Sequence, residues 1–159
     1  MELKIKPVTQ ENRKQVESLK TAPDQEGMVE PVAQCLQEAD NRADWRPVGI
    51  YDGKLLVGFA MYGFFFPEYP PNGRVWLDRL LIDGTQQGKG YGREALAALL
   101  QRLQREYGER AEEIYLSVYE NNPRAIHLYQ QFGFAFNGER DLKGEHVMVW
   151  HSPAKTEGE

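Results

Sequence analysis

The feature that most constrains the fold is a glycine-rich loop between an apolar strand and an amphipathic helix. Residues 74–82 have a strand pattern, residues 87–92 read Gln-Gly-Lys-Gly-Tyr-Gly, and residues 91–107 carry an apolar stripe at helical spacing. Another strand is predicted at residues 114–119. This order of strand, loop, helix and strand indicates an α/β domain built around a mixed sheet.

Alternation, helical spacing and turn residues predict the elements that precede this unit. They are a half-buried strand at residues 3–8, a helix start at residues 9–12 and a second helix at residues 32–39. A hairpin follows, in which Asp52-Gly53-Lys54 joins strands at residues 48–51 and 55–66, because Asp-Gly between apolar runs is a strong hairpin signal.

The carboxyl-terminal part completes one domain. Asn122-Pro123 opens a last helix, Phe132-Gly133-Phe134 ends it, and a final β region reaches residue 150. The predicted order is β-α-α-β-β-β-α-β-α-β-β in a single domain at residues 1–150, followed by a polar tail at residues 151–159.

Charge and cysteine usage limit the classes of partner. The chain of 159 residues has 24 acidic and 19 basic side chains, a formal charge of -5, which argues against nucleic acid and suits a cationic or neutral small substrate. Solubility alone explains the same charge. Cys35 is the single cysteine, so no intrachain disulfide forms, and we expect a buried thiol.

No segment of the sequence predicts a membrane protein or an exported one. The longest near-apolar run, residues 57–66, is far shorter than the roughly 20 residues that span a bilayer. Residues 1–7 lack the apolar core of a signal peptide. We therefore expect a cytoplasmic protein without membrane partners.

The glycine loop has the properties of an anion site. The first N–H groups of a helix have no acceptor within the helix and lie at the positive end of its dipole, and glycine lets a phosphate approach the backbone. A nucleotide-binding P-loop would need a hydroxyl residue after Gly-Lys, and a dinucleotide fingerprint would need glycine at position 93, which is Arg93. A turn that merely connects two elements remains the alternative.

Two blocks resemble the GNAT superfamily of N-acetyltransferases. Gln87, Gly90 and Gly92 match its acetyl-CoA loop, in which Arg or Gln is followed by two residues, Gly, one residue and Gly or Ala. Downstream, residues 120–134 resemble its Asn-x-x-Ala, Tyr and Gly-Phe signature. The resemblance covers residues 3–150 and implies a mixed, mostly antiparallel central sheet with helices on both faces, acetyl-CoA as cosubstrate and no metal.

From residue 47 onward the chain resembles bacterial spermine/spermidine acetyltransferases in particular. The matching segments are Pro-Val-Gly-Ile-Tyr at 47–51, Val-Gly-Phe-Ala-Met-Tyr-Gly at 57–63, Pro-Glu-Tyr at 67–69, Gly-Arg-Val-Trp-Leu-Asp-Arg at 73–79 and Phe-Asn-Gly-Glu at 136–139. This resemblance implies a polyamine acceptor. A protein lysine, an aminoglycoside or another small amine would use the same cofactor residues, and a CoA-binding regulatory module is a further alternative.

The resemblance also implies which residues bind the cofactor. The pyrophosphate would lie on the loop, the pantetheine arm beside the end of the preceding strand, and an asparagine would contact the pantetheine. The residues concerned are Leu80, Leu81, Ile82, Gln87, Gly88, Lys89, Gly90, Tyr91, Gly92, Arg93 and Asn122. Lys89 and Arg93 would add positive charge, although a solvated helix start explains each of them equally well.

Transfer of an acetyl group needs a proton donor for the sulfur and a route for the amine proton. By resemblance the Tyr129 hydroxyl lies near the sulfur as general acid; a tyrosine packed in the core is the alternative. Asp78, Glu68 and Asp83 are candidates for the base and for binding the substrate, with Asp78 the first choice and an ion pair with Arg79 as its alternative role.

A polyamine site is expected to combine carboxylates with aromatic faces, since both attract ammonium groups. The candidates are Glu26, Glu30, Glu68, Asp78, Glu139 and Glu145, with Tyr51, Tyr62, Phe65, Phe66, Tyr69 and Trp76. The Phe-Phe-Phe run at 64–66 is expected in the core or in a homodimer contact.

Overall fold

A computed structural model describes residues 2–20, 31–141 and 144–152. The strands are β1 (Leu3–Pro7), β2 (Trp45–Asp52), β3 (Leu55–Phe65), β4 (Arg74–Ile82), β5 (Glu113–Val118), β6 (Ala135–Arg140) and β7 (His146–His151). The α-helices are α1 (Arg13–Glu17), α2 (Val32–Asn41), α3 (Tyr91–Tyr107) and α4 (Pro123–Gln131), with short 3-10 segments at Gly84–Gln86 and Gly108–Glu112. The predicted order of elements is confirmed.

The strands form one sheet in the order β1-β2-β3-β4-β5-β7-β6. Strand β2 pairs antiparallel with β1 and β3, and β7 pairs antiparallel with β5 and β6. Strands β4 and β5 run parallel, with Val75 opposite Ile114 and Trp76 opposite Tyr115. The expected mixed, mostly antiparallel sheet of the GNAT fold is therefore confirmed.

The chain divides into two compact units. The first contains Met1–Gly63 and Asp78–Arg102, and the second contains Phe64–Leu77 and Leu103–Glu159.

In the first unit, α1 and α2 cover an apolar face of the sheet. Helix α2 buries Val32, Cys35 and Leu36, which lie on one side of the helix because they are three and four positions apart. They pack in one cluster with residues of α1, of the segment that follows it and of strands β2, β3 and β4, namely Val16, Leu19, Tyr51, Leu56, Phe59, Met61 and Leu81. Cys35 is completely buried, as predicted.

Helix α1 is also linked to α2 by charge. Arg13 donates two hydrogen bonds to Asp40, at 3.0 and 2.8 Å, and one to Glu17 at 3.3 Å. The hydrogen bonds to Arg13 lower the pKa of the Asp40 carboxyl. This pair is exposed, so its stabilising effect is small.

The second unit is built on β5, β7 and β6. Strand β7 lies between the other two and buries Val147, Met148 and Trp150, whereas all residues of β6 are exposed. The β7 ladder reaches His151, opposite Glu113, and the Ser152 N–H donates to the Glu112 carbonyl at 2.7 Å. The sheet thus extends one residue into the predicted polar tail.

The other predicted bounds hold within a few residues. Strand β2 begins at Trp45 rather than at 48, since its first residues pair with the far end of β3, Trp45 opposite Gly63. Gly53 has φ +62 in the tight turn between β2 and β3, as the Asp-Gly signal predicts. Glu26, Glu30 and the tail beyond residue 152 lie outside the described residues.

Across residues 2–20, 31–141 and 144–152, no helix combines the length and apolar character needed to cross a bilayer.

Close contact between β3 and β4 explains why position 58 is glycine, and it predicts a large cost for Gly58→Ala. An added Cβ would lie 2.5 Å from the Leu81 carbonyl oxygen, a backbone atom held in the sheet. We expect a loss of about 1–3 kcal/mol in the free energy of unfolding, measured by urea denaturation.

Gly49→Ala is the matched control in the neighbouring strand. Its Cβ would meet side-chain atoms of Tyr51 and Leu56, at 3.0 and 3.2 Å, which can shift. We expect a clearly smaller cost, and equal urea midpoints for the two variants would contradict this explanation.

Candidate functional site

The loop after β4 is anchored at its beginning by Asp83. The Asp83 N–H donates to the Val57 carbonyl at 2.8 Å, and its carboxylate accepts from the Lys20 N–H at 3.0 Å and from the Thr85 hydroxyl. The Gly84 N–H returns a hydrogen bond to the Lys20 carbonyl at 2.7 Å. Asp83, a candidate base on sequence grounds, holds the loop in place with the bonds that its carboxylate makes.

The glycines that follow leave an open backbone surface. Gly88 and Gly90 have φ of +80 and +85, and a Cβ built on either would meet no atom within 4 Å. The Gln87 side chain bends back and donates to the Ile82 carbonyl at 3.1 Å. Helix α3 begins directly afterwards, with the Glu94 N–H bonded to the Gly90 carbonyl at 3.2 Å. The loop therefore offers a helix N-terminus behind a surface that an anion can approach closely, which fits a phosphate group.

Side chains around the loop differ in what they can offer to a ligand. The Lys89 ammonium bonds the Gln86 side chain at 3.0 Å, and Arg93 is exposed. Tyr91 is buried, and its hydroxyl donates to Asp52 at 2.7 Å, which raises the Tyr91 pKa. The Tyr91 hydroxyl is thus bonded within the chain.

The last residues of β4 differ in how far they are buried. Leu81 is buried in the cluster with α1 and α2, whereas Leu80 and Ile82 are half-buried. Gly92 is the second residue of α3 and is half-buried.

Asp78 lies on β4 beside Arg79. Its Oδ1 accepts from the Arg79 N–H at 2.9 Å, and its Oδ2 lies 3.3 Å from the Arg79 Nε. The ion pair that the sequence suggested as the alternative role of Asp78 is present. Asp78 is 27% exposed and can still be reached by a ligand.

In the second unit, α4 begins and ends with well-defined caps. The Asn122 side chain accepts from the Ala125 N–H at 3.3 Å, and Pro123 is the first helical residue. At the other end, Gly133 has φ +101 and its N–H donates to the Gln130 carbonyl, while the Phe134 N–H donates to the Tyr129 carbonyl. These two bonds define a Schellman motif, so the Gly-Phe pair of the signature terminates this helix.

The same motif orients Tyr129. The Phe134 ring is buried and meets the Tyr129 ring edge-on, with the centroids 5.8 Å apart. Phe134 in turn packs against Trp150 on β7 at 6.5 Å. The half-buried Tyr129 ring is thus held from the carboxyl end of its own helix.

A second arginine occupies one of the aromatic faces that the sequence had suggested for a polyamine, that of Tyr69. The Arg74 guanidinium lies over the rings of Tyr69 and Tyr115, at 4.5 and 4.1 Å, and donates to Glu139 at 2.8 and 2.9 Å. Its hydrogen bonds lower the pKa of the Glu139 carboxyl. Glu139 and Tyr69 therefore bind a cation of the chain itself, and Glu68 is an exposed residue of the preceding turn.

The sequence suggested Asp78 as a partner of Arg79, but it did not identify Glu38 as the second partner of Arg79 or Glu139 as the partner of Arg74. Glu38 on α2 is 41 positions from Arg79, and Glu139 is 65 positions from Arg74, so neither pair has a local pattern. A sequence shows how charges alternate along one helix or strand. It does not show which charges of two different elements come together in the fold.

No three His, Cys, Asp or Glu side chains come together as a candidate metal site in the portion of the chain that the structure describes.

Comparisons with known proteins agree on one family. The model of the acetyltransferase (GNAT) family matches residues 11–134. A spermine/spermidine N(1)-acetyltransferase of Bacillus subtilis is 49% identical over 152 residues, which cover 94% of this chain and 98% of that protein.

Solved structures of the same fold include enzymes with different acceptors. The spermidine N-acetyltransferase of Vibrio cholerae in complex with CoA and spermine has a TM-score of 0.67 and 18% identity over 93% of each chain. The aminoglycoside N(6′)-acetyltransferase of Legionella pneumophila has a TM-score of 0.75 and 14% identity, over all of this chain and 97% of that one. At these identities the likeness shows the fold.

Proposed function

The chain belongs to the acetyltransferase (GNAT) family, and on that premise we propose that it transfers the acetyl group of acetyl-CoA to a primary amine of spermine or spermidine. The observation that carries the choice of acceptor is the near-full-length similarity to the Bacillus subtilis enzyme. The family and the N-acetyltransferase class predicted from the sequence are confirmed.

The glycine loop is the part of the chain best suited to the phosphates of acetyl-CoA. Backbone N–H groups of residues 88–92 would bind the pyrophosphate, because the space above Gly88 and Gly90 is open and α3 starts there. Lys89 adds a positive charge. When bound, acetyl-CoA supplies the thioester whose acetyl group is transferred. The Leu80, Leu81 and Ile82 backbone and Asn122 remain the proposed neighbours of its pantetheine arm.

Two side chains are assigned to the chemistry. Tyr129 would donate its phenolic proton to the departing sulfur, and the packing of its ring against Phe134 keeps the hydroxyl in one place. Asp78 would face the acceptor amine, which is mostly an ammonium at neutral pH, since an alkylamine resembles lysine with a pKa of about 10.4.

Three other expectations belong to the same proposal. The single buried thiol suits a cytoplasmic protein, and residues 1–150 would act as one catalytic domain. A homodimer contact is supported by Phe66, which is 51% exposed.

Gly90→Ala tests the loop. The alanine is strained at a positive φ and places a methyl group on the surface proposed for the pyrophosphate. We expect CoA affinity, measured by calorimetry, to fall by about tenfold or more while the protein stays folded.

Gly53→Ala is the matched control, because Gly53 also has a positive φ and open space around its Cβ but lies in the β2–β3 turn. We expect wild-type CoA affinity for this variant. Equal affinities in the two variants would remove the loop assignment.

The acceptor is tested with a panel of amines under steady-state conditions. Spermine and spermidine are compared with a monoamine, an aminoglycoside and a lysyl peptide at fixed acetyl-CoA. We expect the highest kcat/KM for the polyamines and a KM that rises with added salt, because part of the attraction is between charges. A monoamine, peptide or aminoglycoside that matches them would reassign the acceptor.

Tyr129→Phe tests the proton donor. The variant keeps the ring contact with Phe134 and removes only the oxygen, so we expect kcat to fall about 10²- to 10⁴-fold with little change in CoA affinity. A thiol has a pKa of about 8.5 and is a fair leaving group, so the loss lies toward the low end.

The control is Tyr115→Phe, which removes a hydroxyl that donates to Glu113 on β5. Both variants are assayed at saturating substrates where chemistry limits the rate. Wild-type kcat for Tyr129→Phe under those conditions would make the tyrosine structural.

A further inference from the structure

Arg79 has a backbone conformation that residues with side chains rarely adopt. Its φ is +59, and it is the one non-glycine residue with positive φ in the described part of the chain. Left-handed backbone costs free energy at any residue with a Cβ, so contacts made by the residue must hold it there.

The conformation changes the direction of the side chain. In a regular strand, neighbouring side chains point to opposite faces of the sheet. Here the Arg79 Nε lies 3.3 Å from the carboxylate of Asp78, the residue directly before it, and the Arg79 N–H bonds that same carboxylate at 2.9 Å. The left-handed residue therefore brings two consecutive side chains of β4 together.

The remaining donors of Arg79 reach α2. Its two terminal nitrogens donate to Glu38 at 3.0 and 3.3 Å, and one of them also donates to the Cys35 sulfur at 3.2 Å. Cys35 and Glu38 are three positions apart and share a helix face. One guanidinium thus joins the Asp78 carboxylate to α2 in a fork that a lysine could not reproduce.

The Arg79 side chain is more buried than the carboxylates that it contacts, so its charge depends on them. The Arg79 side chain is 10% exposed, compared with 27% for Asp78 and 37% for Glu38. Burial by itself lowers the pKa of the guanidinium, but the Asp78 charge and the hydrogen bonds to Glu38 and Cys35 outweigh burial and raise that pKa. Arg79 therefore stays charged beside the Asp78 carboxylate.

We propose that Arg79 is a positioning residue for acetyl transfer. It connects the Asp78 carboxylate to α2, so that Asp78 meets the acceptor ammonium as an anion in a fixed position. This inference rests on the proposed function. A carboxylate beside a guanidinium is a weaker base than one without it, so Asp78 orients the ammonium, which loses its proton to water before the amine nitrogen attacks the thioester carbonyl.

Three substitutions separate the backbone role from the side-chain role. Arg79→Gly accepts the positive φ without strain but removes the fork, Arg79→Gln removes the charge, and Arg79→Lys keeps the charge without the fork. We expect Arg79→Gly and Arg79→Gln to lower kcat/KM for the amine about tenfold or more, with the KM for acetyl-CoA unchanged. Arg79→Lys is expected to recover part of the lost kcat/KM.

The pH profile provides a readout that a purely structural role would not change. Arg79 contacts Asp78 from the same strand, and Glu38 and Cys35 on α2 belong to this cluster through their bonds with Arg79. In Arg79→Gln the Asp78 carboxylate loses the cation that lies 3.3 Å from it, so the acid limb of kcat/KM for the amine is expected to move to higher pH. The profile of the lysine variant is expected to lie between those of Arg79→Gln and the wild type.

Arg13→Gln is the matched control. Arg13 also makes a two-bond pair with a carboxylate of α2, Asp40, and lies outside the proposed site. We expect wild-type kinetics and a wild-type pH profile for this variant. Folding of every variant is checked by circular dichroism. If Arg79→Gly and Arg79→Gln do not fold, Arg79→Lys tests the proposal, and we expect a higher KM for the amine in that variant than in the wild type.

All variants are assayed with the amine that the wild-type enzyme acetylates fastest. A failure of the polyamine proposal then appears as a different best amine for the wild type. Wild-type amine kinetics and an unmoved acid limb in folded Arg79 variants would overturn the role of Arg79, and so would a loss confined to acetyl-CoA affinity.

Discussion

The parallel pairing of β4 with β5 is the constraint on which the rest of the chain depends. Parallel neighbours cannot be joined by a tight turn, so the chain has to cross over, and α3 with its 17 residues and length of about 26 Å makes that crossing. The connection must leave the carboxyl end of β4 and open a long helix, which places unsatisfied N–H groups there. The anion site that we propose at residues 83–92 is therefore consistent with the topology.

Local chemistry explains why so much of this arrangement is predictable. Strand β4 and helix α3 were predicted with the bounds that the structure has, since alternation, glycines and a leucine stripe coincide there. Asp52-Gly53 and Asn122-Pro123 mark their turn and cap through backbone preferences of single residues. The family and its cofactor came from the resemblance of two short blocks. The Gly-Phe pair of the second block has a direct structural role, because it terminates α4 and its phenylalanine packs against the ring of Tyr129.

The parts that the sequence did not predict are those set by distant neighbours. The start of β2 depends on its pairing with β3, and the left-handed backbone of Arg79 depends on carboxylates from two elements. The aromatic face of Tyr69 and the carboxylate of Glu139 were expected to suit a polyamine, but both of them bind Arg74, which also lies over the ring of Tyr115. Charge patterns along a sequence show that cations and anions are present, whereas the fold decides which of them meet.

The exposed strand β6 bears on how the protein behaves at high concentration. It lies at one edge of the sheet, and an open edge is a template on which another chain can add a strand. The pairing of β6 with β7 shifts register between Phe136 and Arg140, and Gly138 has φ +88. The edge is therefore bent where an added strand would need a straight row of donors and acceptors. The opposite edge, β1, has five residues that include two lysines and a proline. Both edges thus have features that discourage the strand addition that leads to aggregates.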